Sequence, residues 1–172
     1  MRLLPLAALF VAITTAAWAA DAWFPFKDPD SAFSVEVPGT PTVGSDTTNA
    51  ADGTVIPLIT YSVDLGTAAL LVMRADFTKI EVDPGAAIDG IVGKLRAGAV
   101  TIQVDQISVV DGQVGHEVSY TDKDGDHIDD IVYFYQHYVY QVMSVTPKDA
   151  TDGQTAQSQR FLASFHFTPS KT

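Results

Sequence analysis

The chain has 172 residues, with 10 Lys plus Arg against 21 Asp plus Glu, four His, no Cys and 47% hydrophobic residues. A formal charge of −11 and the absence of any basic cluster exclude a nucleic-acid or anionic-membrane surface, because phosphate neutralisation needs grouped Lys and Arg. With 18% charged residues the composition is that of one packed globular domain, and the missing Cys removes disulfides, thiol catalysis and thiolate metal ligation.

Met1 to Ala20 combines Arg2, an apolar stretch from Leu6 to Ile13 and the small-residue end Ala17-Trp18-Ala19. This pattern predicts a secretory signal peptide over residues 1–20, cleaved after Ala19 or Ala20, with residues 21–172 as a single domain. The apolar part is shorter than the roughly 20 residues a membrane-spanning helix needs. No stable membrane insertion is expected after cleavage, so the predicted location is periplasmic or secreted.

Trp23, Phe24 and Phe26 form an aromatic cluster expected to tuck under the domain. Phe33, Val35 and Val37 alternate with Ser34 and Glu36 before Pro38-Gly39-Thr40-Pro41, which predicts a strand closed by a turn. From Thr42 to Gly53 the chain is mostly Ser, Thr, Asn, Asp and Gly, and a flexible loop is expected over about 42–53. Thr54 to Asp64 and Ala68 to Phe77, split by Leu65-Gly66-Thr67, predict a hairpin.

Asp83 and Pro84 supply an N-cap and a first-turn proline, and Ala87, Ile88, Ile91, Val92 and Leu95 follow at helical spacing up to Gly98. Gly90 and Gly93 weaken this helix by roughly 1 kcal/mol each relative to Ala. Four strands are then expected: Ile102 to Val110, Gln113 to Tyr120, Ile128 to Tyr135 and Val139 to Val145, with Asp111-Gly112 and Asp124-Gly125 as turns. Apolar residues on both faces of the Ile128 to Tyr135 segment predict a sheet covered on both sides. Thr151 to Ser164 reads as a last helix, followed by a short tail through Phe167.

The order of these pieces carries a resemblance. Phe33-Ser34-Val35-Glu36-Val37-Pro38-Gly39-Thr40-Pro41, the mid-chain helix, the meander ending in Val139-Tyr140-Gln141-Val142, and Arg160-Phe161-Leu162-Ala163-Ser164-Phe165 are similar to exported bacterial proteins of the PsbP-like type. That family resembles the extrinsic subunit of the photosynthetic oxygen-evolving complex. The resemblance implies an α+β fold, with an antiparallel sheet of about six to seven strands sandwiched between helices. It also implies a non-catalytic accessory or binding role through an envelope protein partner, and it carries over no catalytic residue. One departure is Gln136-His137-Tyr138, where such chains commonly turn through a glycine; Tyr133, Tyr135, Tyr138 and Tyr140 read as a sheet face under a helix or, for Tyr135 and Tyr138 beside this turn, as a surface for a protein partner, since Tyr is enriched where proteins meet.

The most distinctive stretch runs from Asp122 to Asp130. Asp122, Asp124 and Asp126 occupy the first, third and fifth positions of a calcium-loop pattern, Ile128 offers a carbonyl, and Asp130 stands ninth. His127 replaces the usual turn glycine and Tyr133 the bidentate glutamate, and a solvated hairpin tip explains the same residues. Ca2+ is the one cofactor this stretch suggests. The four scattered His lack zinc spacing, and neither a GxSxG nor a P-loop is present. A hydrolase would need His116 or His137 to meet a carboxylate and a serine from a distance.

Overall fold

The computed structural model describes residues 23–28, 33–50 and 52–168; the expected signal segment, residues 1–20, lies outside them. Ten strands and two helices follow one another in the described residues. β1 is Phe24–Lys27, β2 Phe33–Val37, β3 Thr42–Asn49, β4 Val55–Asp64 and β5 Ala69–Asp76. α1 is Pro84–Gly98, and β6 (Thr101–Val110), β7 (Gln113–Thr121), β8 (His127–Tyr135) and β9 (Tyr138–Thr146) form the meander. α2 (Asp152–Ala163) and β10 (His166–Phe167) end the chain.

Seven strands pair antiparallel in the order β3-β4-β5-β9-β8-β7-β6, and a second sheet has the order β1-β2-β10. This is the α+β arrangement the sequence implies, with the large sheet between covering layers. On one face α1 places Val92 against Val118, Tyr120, Ile128, Val132 and Val139. On the other, α2 contributes Phe161 and the small sheet contributes Phe33, Val35 and Val37 over Tyr133, Tyr140 and Val142. β8 feeds Ile128 and Val132 to the first core and Ile131 and Tyr133 to the second, which is why its apolar residues do not alternate.

The helices begin where their caps dictate. The Asp83 carboxylate accepts from the Ala86 N–H at 2.9 Å with Pro84 in the first turn. Thr151 and Gln154 form a reciprocal capping box at the start of α2. Arg160 ties α2 to the small sheet through Glu36 at 2.8 Å and lies over the Trp23 ring at 4.5 Å. Phe26 packs on Phe33 and Tyr61, whereas Phe24 stays exposed, so two of the three leading aromatics tuck under the domain.

The expected loop at 42–53 is corrected in part. Thr42–Asn49 is strand β3, paired with β4 from Thr42↔Ser62 to Asn49↔Val55. All eight of its residues are exposed, so neither face imposes the apolar alternation by which a strand is read from sequence. Backbone pairing alone makes it a strand, and only the turn after it is loop.

Candidate functional site

The acidic stretch does not fold as one cluster. At the β7–β8 tip the Asp122 carboxylate turns inward and accepts from the N–H groups of Asp124 (2.9 Å) and Asp126 (3.0 Å). The turn closes through Asp122 N–H to the Asp126 carbonyl, while exposed Asp124 pairs with Lys123 at 2.7 Å. Ile128 and Asp130 are not at the tip. Both lie in the β8 ladder, Ile128 between Tyr120 and Val145, and Asp130 between Val118 and Met143.

Asp130 is fully buried on the α1 face, where Gln141 donates to its Oδ2 at 3.0 Å and Oδ1 has no partner. Burial pushes its carboxyl up to about 7, only partly offset by the Gln141 hydrogen bond. Asp122, Asp124 and Asp126 therefore share one turn through backbone contacts, and Asp130 lies apart from them in the β8 ladder. Among the described residues no group of three or more His, Asp or Glu is placed to hold a metal ion.

A groove of about 790 Å³ opens on the α2 face, lined by β6, β7, β8 and the flank of α2. It exists because α2 packs over β9 and the small sheet and leaves β6 to β8 bare. Asp129 sits at its floor. The carboxylate accepts from Ser119 Oγ at 2.6 Å and Ser144 Oγ at 3.4 Å, and His127 Nε2 lies 3.2 Å away. Ser119 and Asp129 are register partners on β7 and β8. Nothing in the local sequence pairs them; only the strand register, read through the Asp124-Gly125 turn, joins residues ten apart.

That order of contacts differs from a hydrolytic triad. There the imidazole stands between serine and carboxylate and takes the serine proton, whereas here the serine proton points directly at the carboxylate. His116 also falls elsewhere. It meets Asp105 at 2.6 Å on the α1 face, and Arg96 clamps the same carboxylate through two 2.7 Å bonds. Those hydrogen bonds, Arg96 first and His116 second, hold the Asp105 carboxyl well below the usual carboxylate range. Within the groove, burial pushes the Tyr133 phenol up, and its hydroxyl shares a 2.9 Å hydrogen bond with Ser108.

Tyr135 and Tyr138 face each other across a two-residue turn in which Gln136 (φ 50°) and His137 (φ 67°) are both left-handed. The geometry is a hairpin without the expected glycine. Both tyrosines are half-buried: the Tyr135 ring is 4.5 Å from that of Phe167, and the Arg74 guanidinium lies 5.0 Å from the Tyr138 ring centre. They rim the core and have one side toward solvent.

A more exposed surface, one that periodicity did not single out, lies along β6. This strand is an edge of the large sheet. Its register with β7 places Ile102, Ile107 and Val109 on the α1 face, with Val114 of β7 opposite Val109. Ile107, Val109 and Val114 are 69%, 63% and 60% exposed, beyond the reach of the helix. Asp105, the one charge on β6, is already engaged by Arg96 and His116.

No family model matches the chain, and no curated protein matches it in sequence. Among solved structures the fold is similar to the solution structure of cyanobacterial PsbP (CyanoP) from Synechocystis sp. PCC 6803, with a TM-score of 0.54 and 13% sequence identity. The likeness covers 88% of this chain and 95% of that one. At that identity it establishes a PsbP-like fold, in agreement with the resemblance read from the strand and helix order. Among the described residues no helix is long and apolar enough to cross a membrane.

Proposed function

We propose that the chain is an exported, non-catalytic accessory protein of the cell envelope that acts by binding another protein. The observation that carries this reading is the apolar, charge-compensated edge strand β6. An unprotected edge presents a row of free N–H and C=O groups. Clustered apolar side chains beside such a row mark a place where another chain adds a strand. On a chain of net charge −11, most of the surface repels an acidic partner; β6, with its single carboxylate neutralised, does not. The PsbP-like fold is consistent with an accessory role, and the Ser119–Asp129–His127 order supports binding in preference to acyl transfer.

The test replaces Ile107 and Val109 together by Lys in the tagged protein. Both side chains point to solvent, so melting is expected to stay within about 2 °C of the parent. Complexes isolated from envelope extracts are expected to lose their partner, and in the parent complex β6 amides should exchange more slowly than in the free protein. Unchanged partners together with unprotected β6 amides would sink the reading. The double substitution of Tyr135 and Tyr138 by Ser, run alongside, asks whether the partner also touches the neighbouring turn.

A further inference from the structure

We infer that the cleft between α1 and the β4-β5-β9 part of the sheet is a binding site for a single-chain amphiphile with an anionic head, a fatty carboxylate. The cleft has a volume of about 550 Å³, within the roughly 300–1,000 Å³ typical of small-molecule sites. It is opened by the composition of α1. The helix packs toward β7 and β8 through Val92, and its cleft side carries Ile91 and Leu95 along the core edge and the small residues Ala86, Ala87 and Gly90, which leave the space between them and the sheet open. A Cβ built on Gly90 meets nothing within 4 Å. Leu58, Met73 and Val139 thereby remain as an apolar floor, with Phe77 and Ile80 as an end wall.

The polar groups of the cleft choose the ligand. The uncharged polar side chains of the lining are Thr48 and Asn49 at the end of β3 and Gln141, whose amide nitrogen is committed to Asp130; the other side chains between them are apolar and favour hydrocarbon. Lys94, on α1 one turn beyond Gly90, is the one charged residue of the lining. It makes no ion pair with any described residue, and it is exposed. In a chain with 21 carboxylate side chains the lining contains none. An apolar trough with a single unpaired cation at its lip is complementary to an alkyl chain ending in a carboxylate.

Calorimetric titration of the purified protein with straight-chain carboxylates from octanoate to palmitate, below their micelle thresholds, tests this. One site per chain is expected, with affinity rising about fourfold per added methylene until the cleft is full, then levelling off. The alcohol of equal length should bind about tenfold more weakly, and the amine more weakly still. Gly90→Leu places a side chain across the opening and improves the helix. It should therefore melt higher than the parent while losing binding. Lys94→Glu, on the exposed helix surface, should abolish the preference for carboxylate over alcohol and leave alcohol binding intact. Failure of every carboxylate to bind, tightest binding of the amine, or undiminished binding by folded Gly90→Leu would each overturn the proposal. So would a concentration-dependent dimer that Gly90→Leu disperses, since a second copy would then occupy the cleft.

Discussion

Two residues of the meander show how much hangs on single atoms. Gly115 on β7 lies directly under Tyr133 of β8, and a Cβ placed there overlaps the Tyr133 ring and the Val132 carbonyl oxygen. The ring is at home in that gap: it stacks on Phe165 at 5.9 Å and meets Phe167 edge-on at 5.6 Å. Gly115→Ala is expected to cost about 1–3 kcal/mol, the usual range for overpacking against backbone that has to move. Chemical denaturation measures it, and a cost below about 0.5 kcal/mol would show that the strands part easily.

Asp130 supplies the opposite case, a side chain whose own chemistry limits stability. Burial raises its carboxyl from the ordinary 3.8 to about 7. A raised folded-state value means that the group's contribution is complete below about pH 4, falls as pH rises toward 7, and is constant above that. At about 1.4 kcal/mol for each tenfold change in proton affinity, the loss is at most about 4 kcal/mol. Asp105 acts with the opposite sign: its depressed carboxyl stabilises above the unfolded value and loses that contribution as pH falls below about 4. Asp130→Asn keeps the Asp105 contribution and removes the other. The difference in stability between variant and parent should therefore grow from pH 4 to pH 7 in favour of Asn and stay flat to pH 9. A difference independent of pH would mean that Asp130 is not the group that titrates.

At the scale of elements, the β8–β9 turn is the least favourable local choice in the sheet. A two-residue turn of this hand needs positive φ at both positions, which Asn-Gly supplies with little strain. Asp111-Gly112 approximates that solution between β6 and β7, with φ of 49° and 77°. Gln136-His137 does not. Each L-residue held left-handed costs roughly 1–2 kcal/mol, and the turn persists because its flanking pairs are packed and Phe77 N–H bonds the His137 carbonyl at 2.9 Å. Gln136→Asn with His137→Gly should stabilise the protein by about 1–2 kcal/mol, some 2–8 °C in melting temperature for a chain of this size. No gain would mean that the two side chains contribute contacts worth the strain.

Legibility from sequence followed the same line between local and distant causes. β2, β4, β5, α1, the four-strand meander and α2 were readable because burial on one or both faces leaves a periodic or continuous apolar trace. β3 left none, since all of its side chains face water. The three-strand sheet was readable only as a first strand and a tail, because β10 reaches β2 across the whole chain and is held there by Asp111, whose carboxylate accepts from Phe167 N–H at 2.8 Å. Of the residues in the ion-site reading, Asp122, Asp124 and Asp126 share one turn, in which Asp122 caps backbone N–H groups and Asp124 pairs with Lys123. Asp130 stands away from the tip because β8 is extended from His127 onward, and at about 3.3 Å per residue it carries Asp130 into the buried ladder.

For the whole molecule the governing quantity is charge. A net −11 opposes compaction through self-repulsion, and its densest part is the tip, where Asp122, Asp124 and Asp126 share five residues. Two effects of calcium must then be separated: screening of the total charge, which any salt performs, and coordination at the tip, which only a suitable cation performs. Screening lengths fall from about 30 Å at 0.01 M ionic strength to about 10 Å at 0.1 M, so melting temperature is expected to rise by a few degrees over that range in sodium chloride. Asp122 Oδ1 is already engaged by two backbone N–H groups, Asp124 pairs with Lys123, and Asp130 is buried in the β8 ladder away from the tip. Calcium chloride at matched ionic strength should consequently give the same rise, and chelator should remove no more than the screening contribution. A coordinating site would behave otherwise, adding about 2.7 kcal/mol at a hundred times its dissociation constant, or roughly 5–11 °C for a chain of this size. An excess of that order, lost in Asp124→Asn with Asp126→Asn, would establish the tip as a calcium centre and overturn the expectation.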